Sequence, residues 1–211
     1  MPVYERTAGY IMNILDSKKI GCIIMASGLS KRFGSNKLIK ELGGKPVIKW
    51  VLDATEDLFA YRVVVTRSQE VKTLCENMNV PVLYHEYPGR NDTVRIGLNA
   101  MPEDIEGCMF CMADQPLIQQ TTIKNMIAMF NERKGIVRPI FEDSPGAPIL
   151  FPDKYFEELR NLPQGKGGNV VVKAHPDDVY MVSAGFAEEL FDIDTEEDFS
   201  YILDFTEKYN V

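Results

Sequence analysis

The chain has 211 residues, 45% of them hydrophobic and 26% charged, which suits one α/β domain with a sizeable core and excludes a disordered chain. Lys and Arg number 23 against 31 Asp and Glu, and the resulting net charge of -8 argues against a nucleic-acid scaffold or a polybasic membrane binder. The imbalance is local: Phe186 to Val211 hold nine acids and one base, whereas Ser17 to Lys40 hold six bases and no acid.

In chain order, residues 1–19 read as a short helical extension, with Tyr10, Ile11, Ile14 and Leu15 on one face, and residues 20–211 as a single domain. Ile20–Met25 is a short apolar strand of the kind buried in a parallel sheet. A loop runs to Lys37, and Lys45–Ala54 reads as a helix with Pro46 in its first turn. Tyr61–Thr66 is a strand, and Ser68–Met78 is a helix with a Ser start signal. Pro81–Tyr84 is a strand, Thr93–Met101 a helix, Cys108–Met112 a strand and Thr121–Arg133 a helix. Ile136–Pro139 and Pro148–Phe151 read as short strands flanking the turn Asp143–Gly146. Pro152–Leu162 is helical, Val179–Val182 a strand, and Thr195–Lys208 the last helix. Strands alternating with helices predict a mainly parallel sheet covered on both faces. Ligands then bind beyond the carboxyl ends of the strands, in the loops after Met25, Tyr84 and Met112, with Ile136–Ala184 as the other wall.

Cys108 and Cys111 form a C-x-x-C inside the apolar run Gly107–Ala113, where they read as small hydrophobes of a buried strand rather than a redox or zinc pair. No apolar run approaches membrane-spanning length, and Glu5, Arg6 and Asp16 interrupt the N-terminal segment. The expectation is a reduced, soluble, cytoplasmic protein.

Four segments carry candidate chemistry. The loop from Ala26 to Lys37 contains Gly28 and Gly34, whose backbone can approach a phosphate closely, and Arg32 and Lys37, which can neutralise it. It is neither a P-loop nor G-x-G-x-x-G, and a solvated basic loop is the plain alternative. Asp114 ends an apolar strand before Gln115-Pro116, where a carboxylate can hold Mg2+ together with substrate phosphates or simply cap a turn. In Asp192–Asp198, Thr195 is a helix cap with Glu196, Glu197 and Asp198 in the first turn, which leaves Asp192 and Asp194 unexplained by helix energetics. Gly89–Gly97 opens a helix with polar residues suited to a base or ribose, although Asp92 also suits plain capping.

Taken in order, G-x-S-x-R-x-G-x-x-K at Gly28, Ser30, Arg32, Gly34 and Lys37, D-Q-P at Asp114–Pro116, G-x-P at Gly146–Pro148, and D-I-D-T-x-x-D from Asp192 resemble the MobA-like nucleotidyltransferases. Within them the molybdenum cofactor cytidylyltransferases are most similar, over about Ile20–Asp204. The resemblance implies a Rossmann-like, doubly wound, mainly parallel sheet, the nucleotide-diphospho-sugar transferase fold. It implies an NTP, CTP favoured, bound by Ala26, Ser27, Gly28, Leu29, Ser30, Arg32, Lys37, Thr93 and Gly97. Asp114 and Asp194 would bind Mg2+, and Arg32, Lys37 and Asp114 would be catalytic. A molybdopterin-type phosphorylated acceptor would lie against Gly146, Pro148, Lys166, Gly167, Gly168 and Asn169. A molybdenum hydroxylase or its maturation chaperone is the implied protein partner. The chain departs from the family pattern at Met25-Ala-Ser-Gly28, often L-A-A-G, and at Gln164–Asn169, often G-D-K-G-G-R. GTP or another NTP, a different phosphorylated acceptor, a related-fold glycosyltransferase and a non-catalytic nucleotide sensor are the rival readings. A glycosyltransferase would usually show D-x-D where this chain has Asp114-Gln-Pro.

Overall fold

The computed structural model describes residues 19–28 and 32–209, so the helical extension expected over residues 1–19 lies outside the described residues, Lys19 excepted. The strands are β1 (Ile20–Ala26), β2 (Glu41–Leu42), β3 (Lys45–Pro46), β4 (Tyr61–Thr66), β5 (Val82–Tyr84), β6 (Gly107–Met112), β7 (Ile136–Phe141), β8 (Ser144–Pro145), β9 (Ile149–Pro152) and β10 (Val179–Ser183). The helices are α1 (Val47–Ala54), α2 (Gln69–Asn77), α3 (Arg90–Asn99), α4 (Gln120–Arg133), α5 (Phe156–Arg160), α6 (Asn169–Ala174) and α7 (Glu196–Tyr209).

The main sheet runs β10-β7-β9-β6-β1-β4-β5, with β8 added to β7. β6, β1, β4 and β5 are parallel neighbours, as are β7 and β10. β9 runs antiparallel to both β6 and β7, so the sheet is mainly parallel with one reversed strand near its middle. Pairing of Met25 with Met112, Ala26 with Thr66, and Thr66 with Tyr84 ends four parallel strands at one level. The loops after β6, β1, β4 and β5 therefore open on the same edge, where ligands of such sheets bind.

Alternation along β1 sends Ile20, Cys22, Ile24 and Ala26 into one core and Ile23 into the other. Residues of α1, α4 and α7 pack into the first core, and residues of α3, α5 and α6 into the second. The same alternation separates the C-x-x-C pair, placing Cys108 and Cys111 on opposite faces of β6. All four cysteines are free and buried, and burial pushes the Cys108 thiol up. They serve as core side chains, and Cys111 lies beside Cys22 with the sulfurs 3.7 Å apart.

Local signals explain several boundaries. Ser68 Oγ accepts from Val71 N at 3.2 Å and starts α2. Thr195 Oγ1 accepts from Asp198 N, and Asp198 Oδ2 accepts from Asp194 N and Thr195 N, a reciprocal cap at the start of α7. These bonds hold the Asp198 carboxyl below its ordinary value against the opposing effect of partial burial. Several expectations change. The helix read from Thr93 begins at Arg90, and the turn read over Asp143–Gly146 narrows to Glu142–Asp143, with Ser144–Pro145 forming β8. Lys45 and Pro46 pair with Leu42 and Glu41 as a small hairpin, and the helix begins only at Val47. The helix expected over Pro152–Leu162 divides into a 3-10 turn, Asp153–Tyr155, and the short α5. No helix among the described residues is long and apolar enough to cross a membrane.

Gly97 lies in α3 where an added Cβ would meet the Ile23 side chain at 2.7–2.9 Å. Gly97→Ala is expected to lower stability by about 1–3 kcal/mol, and Ile23→Val in that background to recover part of the loss, read by denaturant unfolding.

Candidate active site

The strand ends converge on a cleft of about 370 Å³ lined by Ala26, Ser27, Gly28, Arg32, Lys37, Thr93, Asp114 and Asp194, together with Met25, Leu38, Arg67, Pro88, Gly89, Arg90 and Met112. Lys37 opens a 3-10 turn capped by Asn36, whose amide also donates to Ser68 Oγ at 2.8 Å and to Glu70 at 3.0 Å. This turn drives the Lys37 side chain inward, leaving it only 6% exposed. Its ammonium donates to Asp114 Oδ2 at 2.6 Å, the Ile193 carbonyl at 2.5 Å and Asp194 Oδ1 at 3.1 Å. Three acceptors satisfy the three donors of the ammonium, so its burial carries no unpaired N–H. Arg32 Nη2 reaches Asp194 Oδ2 at 2.7 Å, but that pair is 71% and 41% exposed and adds little stability.

Further contacts dock the C-terminal segment onto the loop after β6. Ile193 N donates to Asp114 O at 2.9 Å, and Gln115 Nε2 donates to Leu190 O at 3.1 Å. The buried Glu189 accepts from Thr122 Oγ1 at 2.6 Å, Gln119 N at 3.2 Å and Gly185 N at 2.7 Å. Its charge thus sits against the amino end of α4, where the helix dipole favours an anion. On the opposite side Phe33 meets Phe199 edge-on at 6.0 Å, and Lys40, paired with Glu196, lies 4.1 Å from the centre of the Phe199 ring. The outer half of the first loop is thereby fastened to α7.

The two carboxylates fit a divalent cation. Asp114 Oδ1 is buried and has no hydrogen-bond partner, and Asp194 shares the Lys37 ammonium with Asp114. No group of three or more His, Cys, Asp or Glu among the described residues would cage a metal. Two carboxylates completed by phosphate oxygens are the arrangement that suits Mg2+ or a similar hard ion. Asp192 occupies a different position. The residue is exposed at the surface, yet the protein around its carboxyl, then Asp114 and Asp194, push it up to about 6.

The far end of the cleft, at β4 and β5, has no acid in its lining. Arg67 follows β4, donates Nη1 to Pro88 O at 3.3 Å, and keeps a buried Nε without a partner. Arg90 makes no ion pair among the described residues. Asp92 accepts from Gly89 N at 3.1 Å and pairs with Arg95, so it caps α3 instead of facing a ligand. His85 is buried behind Ser27 and Thr93, and desolvation, together with Arg67 and Arg95, lowers its pKa.

The structure thus gathers Ala26, Ser27, Gly28, Arg32, Lys37, Thr93, Asp114 and Asp194 into one cleft, while Leu29 and Ser30 lie outside the described residues. Gly97 is placed elsewhere: it faces Ile23 across the α3–β1 contact and does not line the cleft. None of the six residues expected at the acceptor lines it either. The pairing of β9 with β6 brings Gly146–Pro148 toward the carboxyl end of β6, and the Gly146 carbonyl accepts two bonds from Arg138. In the loop of Lys166, Gly167, Gly168 and Asn169, Gly167 lies against Arg90 and Gly168 against Phe151. That loop borders the cleft from outside. Arg67 and Glu189 were not singled out in the sequence. Arg67 directly follows a strand parallel to β1, which is a usable signal, whereas nothing local marks Glu189 as buried.

A family model for the MobA-like NTP transferase domain matches residues 22–179. The chain is 31% identical over 148 residues to the bifunctional protein GlmU of Thermoanaerobacter pseudethanolicus, covering 65% of this chain and 32% of GlmU. It is 26% identical over 122 residues to a probable molybdenum cofactor guanylyltransferase of Aquifex aeolicus, covering 58% of this chain and 59% of that protein. The chain thus spans about a third and about three fifths of these two relatives. The fold is that of Rv0371c from Mycobacterium tuberculosis H37Rv, at a TM-score of 0.80 and 22% identity, covering 88% of this chain and 98% of that one. Rv0371c has also been solved in complex with manganese.

Replacing Lys37 with Met leaves two carboxylates facing each other and is expected to cost about 3 kcal/mol of stability in metal-free buffer. Mn2+ should raise the melting temperature of this variant more than that of the wild type, read by thermal unfolding with and without the ion. Asp192 titrates higher in the folded chain than in the unfolded one, so its ionisation lowers stability as pH rises from about 4 through about 6. In metal-free buffer Asp192→Asn should therefore melt higher than the wild type at pH 7.5 and equally at pH 4.

Proposed function

The chain belongs to the MobA-like NTP transferase domain family; from that premise we propose that it is a nucleotidyltransferase that transfers CMP from CTP to the terminal phosphate of a molybdopterin-type acceptor. The observation that carries the reading is the Lys37 ammonium between Asp114 and Asp194, at the mouth of a loop containing Arg32. The order of loop, carboxylate and late acid, together with the molybdenum cofactor relative, supports the acceptor class.

In this reading an oxygen of the acceptor phosphate attacks the α-phosphorus of the NTP, the bond from that phosphorus to the bridging oxygen breaks, and pyrophosphate leaves. A phosphate monoester is already an oxyanion near neutral pH, so the site needs no general base, and its only nearby histidine stays buried behind Ser27. The barrier is the approach of one anion to another, so positioning and charge neutralisation dominate. Asp114 and Asp194 would hold Mg2+, which when bound supplies positive charge against the phosphate oxygens. Arg32 and Lys37 place a guanidinium and an ammonium beside those carboxylates, where they stabilise the departing pyrophosphate. Gly28 gives the backbone close access to a phosphate, and Thr93, Pro88 and Gly89 wall the nucleoside.

GTP as donor is the second reading, favoured by the guanylyltransferase relative. Nothing in the site or the relatives supports a molybdenum hydroxylase or its chaperone as partner, and neither is part of the proposal. Four free, buried cysteines fit a reducing compartment, and we place the enzyme in the cytoplasm.

The test is a panel of CTP, GTP, ATP and UTP with molybdopterin and Mg2+, following pyrophosphate. CTP is expected to give the highest kcat/KM, and Asp114→Ala to lower it by about 10³-fold or more. Full activity in that variant, or nucleoside diphosphate release in place of pyrophosphate, overturns the reading.

A further inference from the structure

The cleft has two chemically distinct ends. The Lys37, Asp114, Asp194 and Arg32 cluster sits at the ends of β6 and β1. Arg67 follows β4 and His85 follows β5, two and three strands from β6, or about 10–15 Å along the sheet edge. A nucleotide whose phosphates occupy the first end therefore lays its base toward the second.

Ser27 follows β1, between the two ends, and its hydrogen bonds can be counted. Its hydroxyl has one proton and two neighbours that can take it, Val65 O at 3.1 Å and the His85 imidazole. His85 Nε2 lies 2.9 Å from the same oxygen, and whichever of Val65 O and the imidazole takes the hydroxyl proton, that proton is spent inside the protein. The Thr93 hydroxyl oxygen, 3.4 Å from the same nitrogen, borders the pair. At least one lone pair of Ser27 Oγ remains for a ligand, and no proton does. Thr66 Oγ1 donates to Ala26 O at 3.0 Å and accepts from Ser68 N at 3.0 Å, so the backbone beside Ser27 is also tied across to β4.

We propose that His85 is a positioning residue that holds Ser27 Oγ as a pure hydrogen-bond acceptor beside the nucleoside end, so that the cleft selects cytosine, whose C4 carries an amino group, over uracil, whose C4 carries an oxygen. An amino group gives Ser27 a proton to accept, whereas a carbonyl oxygen sets lone pair against lone pair. Without the imidazole, the hydroxyl can turn and donate, and the distinction fades. The inference rests on the nucleotidyltransferase reading and adds a determinant of base choice to it.

Calorimetric binding of CTP and of UTP, each with Mg2+ and without acceptor, tests it in the wild type, Ser27→Ala and His85→Ala. The wild type is expected to bind CTP about tenfold more tightly than UTP. Both variants should bring that ratio to within about twofold of unity, with the loss falling on CTP. A variant that merely loosens the fold weakens both nucleotides alike and leaves the ratio intact, so an unchanged ratio in both variants overturns the proposal. Equal binding of CTP and UTP by the wild type overturns it as well, while leaving the enzyme class standing. Binding of neither nucleotide by the wild type removes both the proposal and the functional reading.

Discussion

One buried ammonium ties the site together. Lys37 joins Asp114, 77 residues away, and Asp194, 157 residues away, and it takes the Ile193 carbonyl as its third acceptor. Removing a Lys from water is costly unless each of its donors is paired, so this arrangement requires three chain segments to meet within hydrogen-bond distance. The surrounding structure serves that requirement. Glu189 fixes the segment before Asp194 to α4, Gln115 fixes it to the loop after β6, and Phe33 fastens the first loop to α7.

The charge pattern of the chain acquires a physical meaning in this frame. The basic stretch near the amino end supplies Arg32, Lys37 and Lys40, each of which meets an acid from the C-terminal stretch. The acids divide by role: Glu196, Glu197 and Asp198 lie in the first turn of α7, Glu189 lies inside the protein, and Asp194 faces the cleft. Opposite this charged end, the cleft wall becomes the hydroxyls of Ser27 and Thr93 flanked by Arg67 and Arg90. Under the proposed function, that asymmetry is what would give a nucleotide a direction along the sheet edge.

Much of this was legible in the sequence, because the signals were local. Apolar runs marked β1, β4 and β6; Ser68 and Thr195 marked helix starts; and a carboxylate closing an apolar strand marked Asp114. What the sequence did not show depends on partners distant in the chain. The reversal of β9 is set by its pairing with β6 and β7, not by its own residues. Gly97 reads as a ligand-loop glycine until Ile23 is seen against it. Lys45 and Pro46 read as the start of the following helix because Leu42 and Glu41, their hairpin partners, carry no strong strand signal. Glu189 looks like any other acid of an acidic tail, and only the fold reveals that it meets the amino end of a helix.

The long reach of the Lys37 network bears on how the molecule comes into being on the ribosome. Synthesis proceeds from the amino end, so Lys37 and Asp114 both exist well before Ile193 and Asp194 have been added. A nascent chain ending short of those residues offers the ammonium a single carboxylate. The Lys37 centre is thus a late product of translation, completed only as the acidic stretch emerges and closes over the strand ends.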